Sequence, residues 1–255
     1  MSRQAQNPDI TLFFLGASRA IRIAWLLEEL NLPYQLVSSP RASNGLAPEE
    51  FKAQIPTRMG KSPVVTDGDL VVQESAAIAE YLCETYDPQG RLLPKERRAR
   101  AKVREWMAAA EGTFMIHALA ILYARWRLPK PASKYLPEME KGLAPNVHNA
   151  LNWLESELAD GRRYLVSREG EGEGEAAASG GDDECAGERD GKGRRGVAHD
   201  GVSAADILMG FSIDFIFARS LGTEGADWPN VRRWLHGIKQ REAYTRAVKK
   251  TGYSL

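Results

Sequence analysis

Cysteine is almost missing from this sequence. The two present, Cys83 and Cys185, lie far apart and form no CxxC, which argues against a disulfide scaffold or a zinc knuckle and fits a reducing, intracellular setting. Net charge is missing too: 34 Lys and Arg offset 34 Asp and Glu, so no general attraction to nucleic acid or to an anionic membrane is implied. The most apolar helix candidate, Ile207 to Ala218, is too short to span a bilayer and contains Asp214, so no transmembrane segment is expected. The stretch Met1 to Asp9 is polar, without the apolar h-region of a secretory signal. These absences describe a soluble protein, and 255 residues make one large or two modest domains the prior.

What is there begins with strand and helix signals in alternation. Ile10 to Leu15 is a continuous apolar run bounded by Gly16, the pattern of a buried strand. Ser18 can cap a helix whose positions Ile23, Ala24, Leu27 and Leu30 are apolar at helical spacing, and Asn31-Leu32-Pro33 stops it. Tyr34 to Val37 is a second strand, so the opening is β-α-β with parallel strands favoured. A Pro-, Ser-, Asn- and Gly-rich stretch follows, broken by a short helical piece at Pro48.

The unit that organises the chain is Gly60-Lys61-Ser62-Pro63-Val64-Val65 followed by Leu70-Val71-Val72-Gln73-Glu74-Ser75. Pro63 cannot donate a ladder hydrogen bond and belongs at a strand's first residue, where Ser-Pro also permits a cis bond. Asp67-Gly68 supplies a hairpin turn, and Ser75 reads as the N-cap of a helix that carries Ile78 and Leu82 inward and ends at Asp87-Pro88. The order is β-α-β-α-β-β-α, thioredoxin-like, over residues 8–88.

After a linker at 89–95 the signal over 96–255 is helical throughout. One long helix is expected from Glu96 to about Trp126; a second carries Val147, Leu151, Leu154 and Leu158, with Pro145 either kinking it or marking its first turn. Ser203-Ala204-Ala205-Asp206 is a capping-box variant opening a core helix, and Trp228-Pro229 opens another. Residues 168–200 alternate Glu and Gly, then turn acidic and finally basic, with almost no apolar side chain. Such a composition is expected to be a disordered insertion. The fold class expected is an α/β thioredoxin-like N-terminal domain followed by an all-α C-terminal domain.

The organising unit resembles the glutathione-binding half of the glutathione S-transferase superfamily. Ser18-Arg19-Ala20-Ile21-Arg22-Ile23-Ala24-Trp25-Leu26-Leu27-Glu28-Glu29-Leu30 is similar to the Ser-Arg-x-x-Arg-x-x-Trp-Leu-Leu-Glu-Glu-Leu signature of a fungal and bacterial class, and Gly60 to Pro63, Glu74-Ser75, Glu111-Gly112 and Ser203 to Asp206 fall in matching places. The class usually has Asn-Pro or His-Pro then Leu-Gly before the lysine, whereas this chain reads Ile55-Pro56-Thr57-Arg58-Met59-Gly60. The resemblance implies glutathione as co-substrate without a metal, a small hydrophobic electrophile or peroxide, a detoxifying role in the cytoplasm, and a homodimer without nucleic acid.

Residue by residue, it implies a cis Pro63, pairing of the Ser62 backbone with the cysteinyl part of glutathione, and the γ-glutamyl end on Glu74 and Ser75. Lys61 is a candidate for the glycyl carboxylate. Ser18 is the candidate catalytic residue, a hydroxyl donor that stabilises the thiolate at a helix N-terminus. The electrophile pocket is expected between domains, with Glu111, His117, Tyr123 and Trp126 as candidates. Arg19 and Arg22 read as surface or domain-interface charges. The alternative is a non-catalytic binding or adaptor module of the same fold. Gly16-Ala17-Ser18-Arg19-Ala20 mimics a hydrolase nucleophile elbow, but it lacks the final glycine, and His117, His148, His199 and His236 offer no supported triad partner.

Overall fold

The computed structural model describes residues 8–166 and 201–255. A four-stranded sheet runs in the order β2-β1-β3-β4, with β1 (Ile10–Leu15) parallel to β2 (Tyr34–Ser39) and antiparallel to β3 (Val64–Asp67), which pairs with β4 (Leu70–Gln73). The apolar run of β1 has two destinations because side chains alternate across a strand. Ile10, Leu12 and Phe14 enter the main core with α1 (Ala20–Glu29) and α3 (Ser75–Tyr86). Phe13 and Leu15 pack on the opposite face with Phe51 and Ile55, at α2 (Glu49–Gln54). A strand covered on both faces needs no polar alternation.

The hairpin turns at Gly68 with φ +59°, and Asp67 before it is buried. Its carboxylate accepts the Asp9 N–H at 3.2 Å and the hydroxyls of Tyr81 at 2.7 Å and Tyr86 at 2.5 Å, which ties the turn to α3. The stretch expected as a linker is docked: Leu92 and Leu93 are buried, and the Leu92 carbonyl accepts the Ala204 N–H at 2.9 Å.

The long helix is continuous from Arg97 to Arg127 but changes pitch on the way, α4 (Arg97–Ala109) passing through a π-helical turn at Ala110–Met115 into α5 (Ile116–Arg127). It is long and apolar enough to cross a membrane, which Ile207 to Ala218 is not, yet half of its most apolar window is buried against the protein's own helices. A short 3₁₀ turn leads into α6 (Leu136–Glu157), where Pro145 lies inside the helix rather than in its first turn. At the centre runs α7 (Ala204–Ala218), opened by the expected capping box, with Asp206 fully buried. Gly210 is where α7 meets α1 and α8 (Pro229–Lys239): a Cβ there would stand 3.0 Å from Ile238 and 3.3 Å from Trp25. The C-terminal helix, α9 (Glu242–Thr251), returns to pack on α1. The expected insertion at 168–200, with Cys185 and His199, lies outside the described residues.

Candidate functional site

Four backbone features build the site. The Ser62–Pro63 bond is cis. The Ser62 hydroxyl accepts the Leu15 N–H at 3.0 Å and donates to the Phe13 carbonyl at 2.8 Å, pinning the loop before β3 to the end of β1. With that side chain occupied, the backbone of Ser62 is what the residue can offer a ligand. After β4 the chain turns at Glu74, a non-glycine residue at φ +72° and ψ 121°, a sparsely populated conformation that costs about 1–3 kcal/mol and concentrates at functional sites.

That turn makes Glu74 the cap position and Ser75 the first helical residue, so the helix starts one place earlier than expected. The reason is in the hydrogen bonding: the Glu74 carbonyl already accepts the Ile78 N–H at 2.9 Å. The Ser75 hydroxyl has no protein partner among the described residues, and the first N–H groups of α3 have none within the helix. Charge and geometry at such a terminus favour an anion.

A one-residue shift in the other direction occurs at α1, which begins at Ala20 with Arg19 rather than Ser18 at the cap. The buried Ser18 hydroxyl accepts the Ala20 N–H at 3.2 Å. An oxygen that accepts there keeps its own proton for another acceptor. Ala17 ahead of it has φ +48°, so the loop from β1 into α1 is tightly held.

Lys61, Ser62, Pro63, Glu74 and Ser75, with Arg19, line a cavity of about 450 Å³ from the thioredoxin-like region, and Met107, Glu111 and Leu208 line it from the helical region. The space therefore lies between the thioredoxin-like and helical regions. Ser18 is not in this lining, and of the four residues expected at an electrophile pocket it contains Glu111 alone. His117 is half-buried, while Tyr123 and Trp126 are exposed on α5 with ring centroids 5.9 Å apart. Of the lining, Met59, Gln73, Ala76, Met107, Ala108 and Leu208 were not legible as site residues: the apolar and small side chains carry no signal distinct from core, and Gln73 reads only as the end of a strand.

The polar link between the two regions is made by two arginines. Arg19 donates to both Glu111 oxygens at 2.7 and 2.9 Å, and Arg22 donates to one of them at 2.5 Å. Arg22 is fully buried, its remaining nitrogens bound to the Leu208 carbonyl at 2.8 Å and the Ser212 hydroxyl at 2.6 Å. Ser212 in turn donates to the Ala110 carbonyl at 3.0 Å, at the start of the π-helical turn. Arg22 is thus a domain-interface charge and not a surface one. Burial pushes its pKa down, with Glu111 opposing. Burial alone would raise Glu111, but the hydrogen bonds and charges of Arg19 and Arg22 outweigh it and hold the carboxyl below its ordinary value.

A sheet of this order with a cis proline and a helix N-terminus facing a helical region is the architecture of the glutathione transferases. Residues 12–90 match the family model of the glutathione S-transferase N-terminal domain. The chain is 26% identical over 258 residues to glutathione S-transferase 1 of Saccharomyces cerevisiae, covering 95% of each. A solved glutathione S-transferase from Actinobacillus pleuropneumoniae is 28% identical with a TM-score of 0.70, covering 96% of this chain and 94% of that one. Ure2p5 from Phanerochaete chrysosporium, cocrystallised with 1-(S-glutathionyl)-2,4-dinitrobenzene, shares the fold at 19% identity and a TM-score of 0.64, over 98% of this chain and 96% of that one. Together these similarities support the glutathione S-transferase superfamily for this chain, and glutathione transferase function in general terms.

Proposed function

We propose that this protein, of the fungal and bacterial class that its Ser18 to Leu30 signature resembles, is a glutathione transferase that presents glutathione as a thiolate to a small electrophile. The observation that carries the reading is the convergence of Lys61, Ser62, Pro63, Glu74 and Ser75 on one wall of a single cavity. Glutathione offers two carboxylates, an ammonium and a thiol. In this reading Lys61 takes the glycyl carboxylate, the Ser62 backbone pairs with the cysteinyl unit, Glu74 takes the γ-glutamyl ammonium, and Ser75 with the first turn of α3 takes the γ-glutamyl carboxylate. Residues 8–88 then hold glutathione, and residues 96–255 supply the facing wall.

The thiol needs help to ionise. Its ordinary pKa is about 8.5, and a lowering of two units requires about 2.7 kcal/mol of differential stabilisation. Ser18 supplies it by a hydrogen bond from its hydroxyl to the thiolate sulfur, the Ala20 N–H polarising the oxygen, while the thiol proton leaves to solvent. The thiolate then attacks the electrophilic carbon, forming the C–S bond as the leaving group departs with its electron pair. Peroxide reduction is the other chemistry open to the same thiolate. Dimerisation, a cytoplasmic location and a part in detoxification complete the proposal by analogy with the superfamily.

Thiolate absorbance of bound glutathione, recorded against pH for wild type and Ser18→Ala, tests this reading. The expected result is a bound-thiol pKa well below about 8.5 that rises by at least one unit in the variant. A depressed pKa unmoved by the mutation assigns activation to backbone amides. Absence of glutathione binding leaves a transferase fold serving as an interaction module.

A further inference from the structure

Two guanidiniums share one carboxylate at the cavity wall. Arg19 donates to both Glu111 oxygens through Nε and Nη2, and Arg22 donates to one of them through Nη1. Among the described residues no second carboxylate pairs with either arginine, and the other partners of Arg22 are the neutral Leu208 carbonyl and Ser212 hydroxyl. Arginine stays protonated, and the two guanidiniums hold Glu111 ionised. The cluster therefore carries one positive charge in excess.

That excess opens into the cavity. The Arg22 side chain is fully buried, whereas 32% of the Arg19 side chain is exposed and Arg19 lines the cavity. A charge enclosed by protein on one side and open to a cleft on the other is felt in the cleft. Because Arg19 meets Glu111 through Nε and Nη2, its Nη1 and both N–H groups on it have no protein acceptor among the described residues. The Glu111 bonds fix the guanidinium in advance, so it can meet an anion without reorganising. Its place in the cavity follows from the chain: Arg19 leaves the end of β1 through Gly16, Ala17 and Ser18, and Ser62 is pinned to that same strand end by its bonds to Leu15 and Phe13. Arg19 and Ser62 thus enter the cavity from one strand end.

We infer that Arg19 is a second catalytic residue of this site, its Nη1 holding the ionised sulfur of glutathione beside the Ser18 hydroxyl. This role rests on the transferase reading above, in which Lys61 and the Glu74-Ser75 pair take the two ends of glutathione and Ser62 takes its cysteinyl middle. The strand end that carries Ser62 is where Arg19 emerges, so the anion it meets is the sulfur and not either carboxylate. The thiol proton leaves to solvent, while Arg19 keeps its own protons and forms no covalent bond. Its contribution is charge and hydrogen bonding to the thiolate. Glu111 is then the positioning residue that aims the guanidinium, and Arg22 is the second cation that keeps the cluster positive despite Glu111.

The test reads the bound-thiol pKa from thiolate absorbance against pH in wild type, Arg19→Gln and Arg19→Lys. Calorimetric affinity for S-methylglutathione, which has no thiol to ionise, is measured alongside. Arg19→Gln is expected to raise the pKa by about one unit or more, since an adjacent opposite charge is worth about 1–3 units, and to leave the affinity for S-methylglutathione unchanged. Arg19→Lys keeps the charge and is expected to recover most of that rise. An equal rise in the two variants assigns the effect to packing of the wall and overturns the inference. An unmoved pKa in both variants also overturns it, and if glutathione and S-methylglutathione are then weakened alike, Arg19 is a binding contact only; in either case the transferase reading stands. Failure of wild type to bind glutathione or S-methylglutathione overturns the transferase reading and the inference with it.

Discussion

Glu111 is one carboxylate doing two jobs, compensating a fully buried arginine and holding Arg19 at the cavity wall. Replacing it by Gln leaves Arg22 buried without a counter-charge. Loss of a buried partner costs about 3–5 kcal/mol, but Glu111 is 44% exposed, so solvent screening brings the expected loss to about 2 kcal/mol. Its depressed carboxyl pKa sets the pH window: the stabilisation is present above the unfolded value of about 4.3 and is lost as pH falls through the lower folded value. Urea unfolding at pH 7 should therefore separate wild type from Glu111→Gln, and the gap should narrow below about pH 4. A gap equally wide in acid would assign the loss to packing of the π-helical turn.

Elements were legible where local pattern and tertiary role agree. The run Ile10 to Leu15, the turn at Gly68 and the stripe of Ile78 and Leu82 each follow from periodicity that the packing preserves. The π-helical turn was not: no local pattern marks it, and the Ala110 carbonyl at its start accepts from Ser212, 102 residues away. Arg22 could have been noticed as the one charge among the apolar residues from Ala20 to Leu27, and Asp67 only as the acid of a turn, with nothing local to announce Tyr81 and Tyr86 as its donors. Lys61, Ser62, Glu74 and Ser75 were visible as site residues, whereas Arg19 read only as a surface or interface charge and the apolar lining carried no signal. The Ser203 to Asp206 box was also visible, yet its reach exceeds one helix. The Asp206 carboxylate accepts its own cap's N–H and hydroxyl, each at 2.9 Å, the Leu165 N–H at 2.8 Å and the Trp234 indole at 3.0 Å. Asp206→Ala orphans donors on three segments, so a loss of about 3 kcal/mol or more is expected in denaturant unfolding. A loss no larger than about 1 kcal/mol, the usual value of a cap alone, would confine Asp206 to capping.

Across the whole molecule the chain closes on itself, its last helix bonded to its first. Arg241 donates to both oxygens of Glu29 at 2.6 and 2.8 Å and to the Tyr164 hydroxyl at 2.7 Å, while Arg246 reaches Glu28 at 3.0 Å and Tyr244 packs edge-on against Trp25 at 5.2 Å. The hydrogen bonds it donates to Glu29 push the Arg241 pKa up, so the cation is favoured by its surroundings. Glu29 is only 8% exposed and keeps Trp25 as its remaining donor when Arg241 is removed. Arg241→Ala thus strands a buried carboxylate, and about 2–3 kcal/mol is the expected loss after allowing for a partner that is itself partly exposed. The loss should be local before it is global, because α9 is short and holds α1 through these side chains. Hydrogen exchange should show the amides of α9 losing protection in Arg241→Ala well before those of β1, whose ladder is buried on both faces. Equal loss of protection in α9 and β1 would instead mean that the two regions open as one unit, with the Arg241 clamp contributing to the stability of the whole rather than to the docking of its last helix.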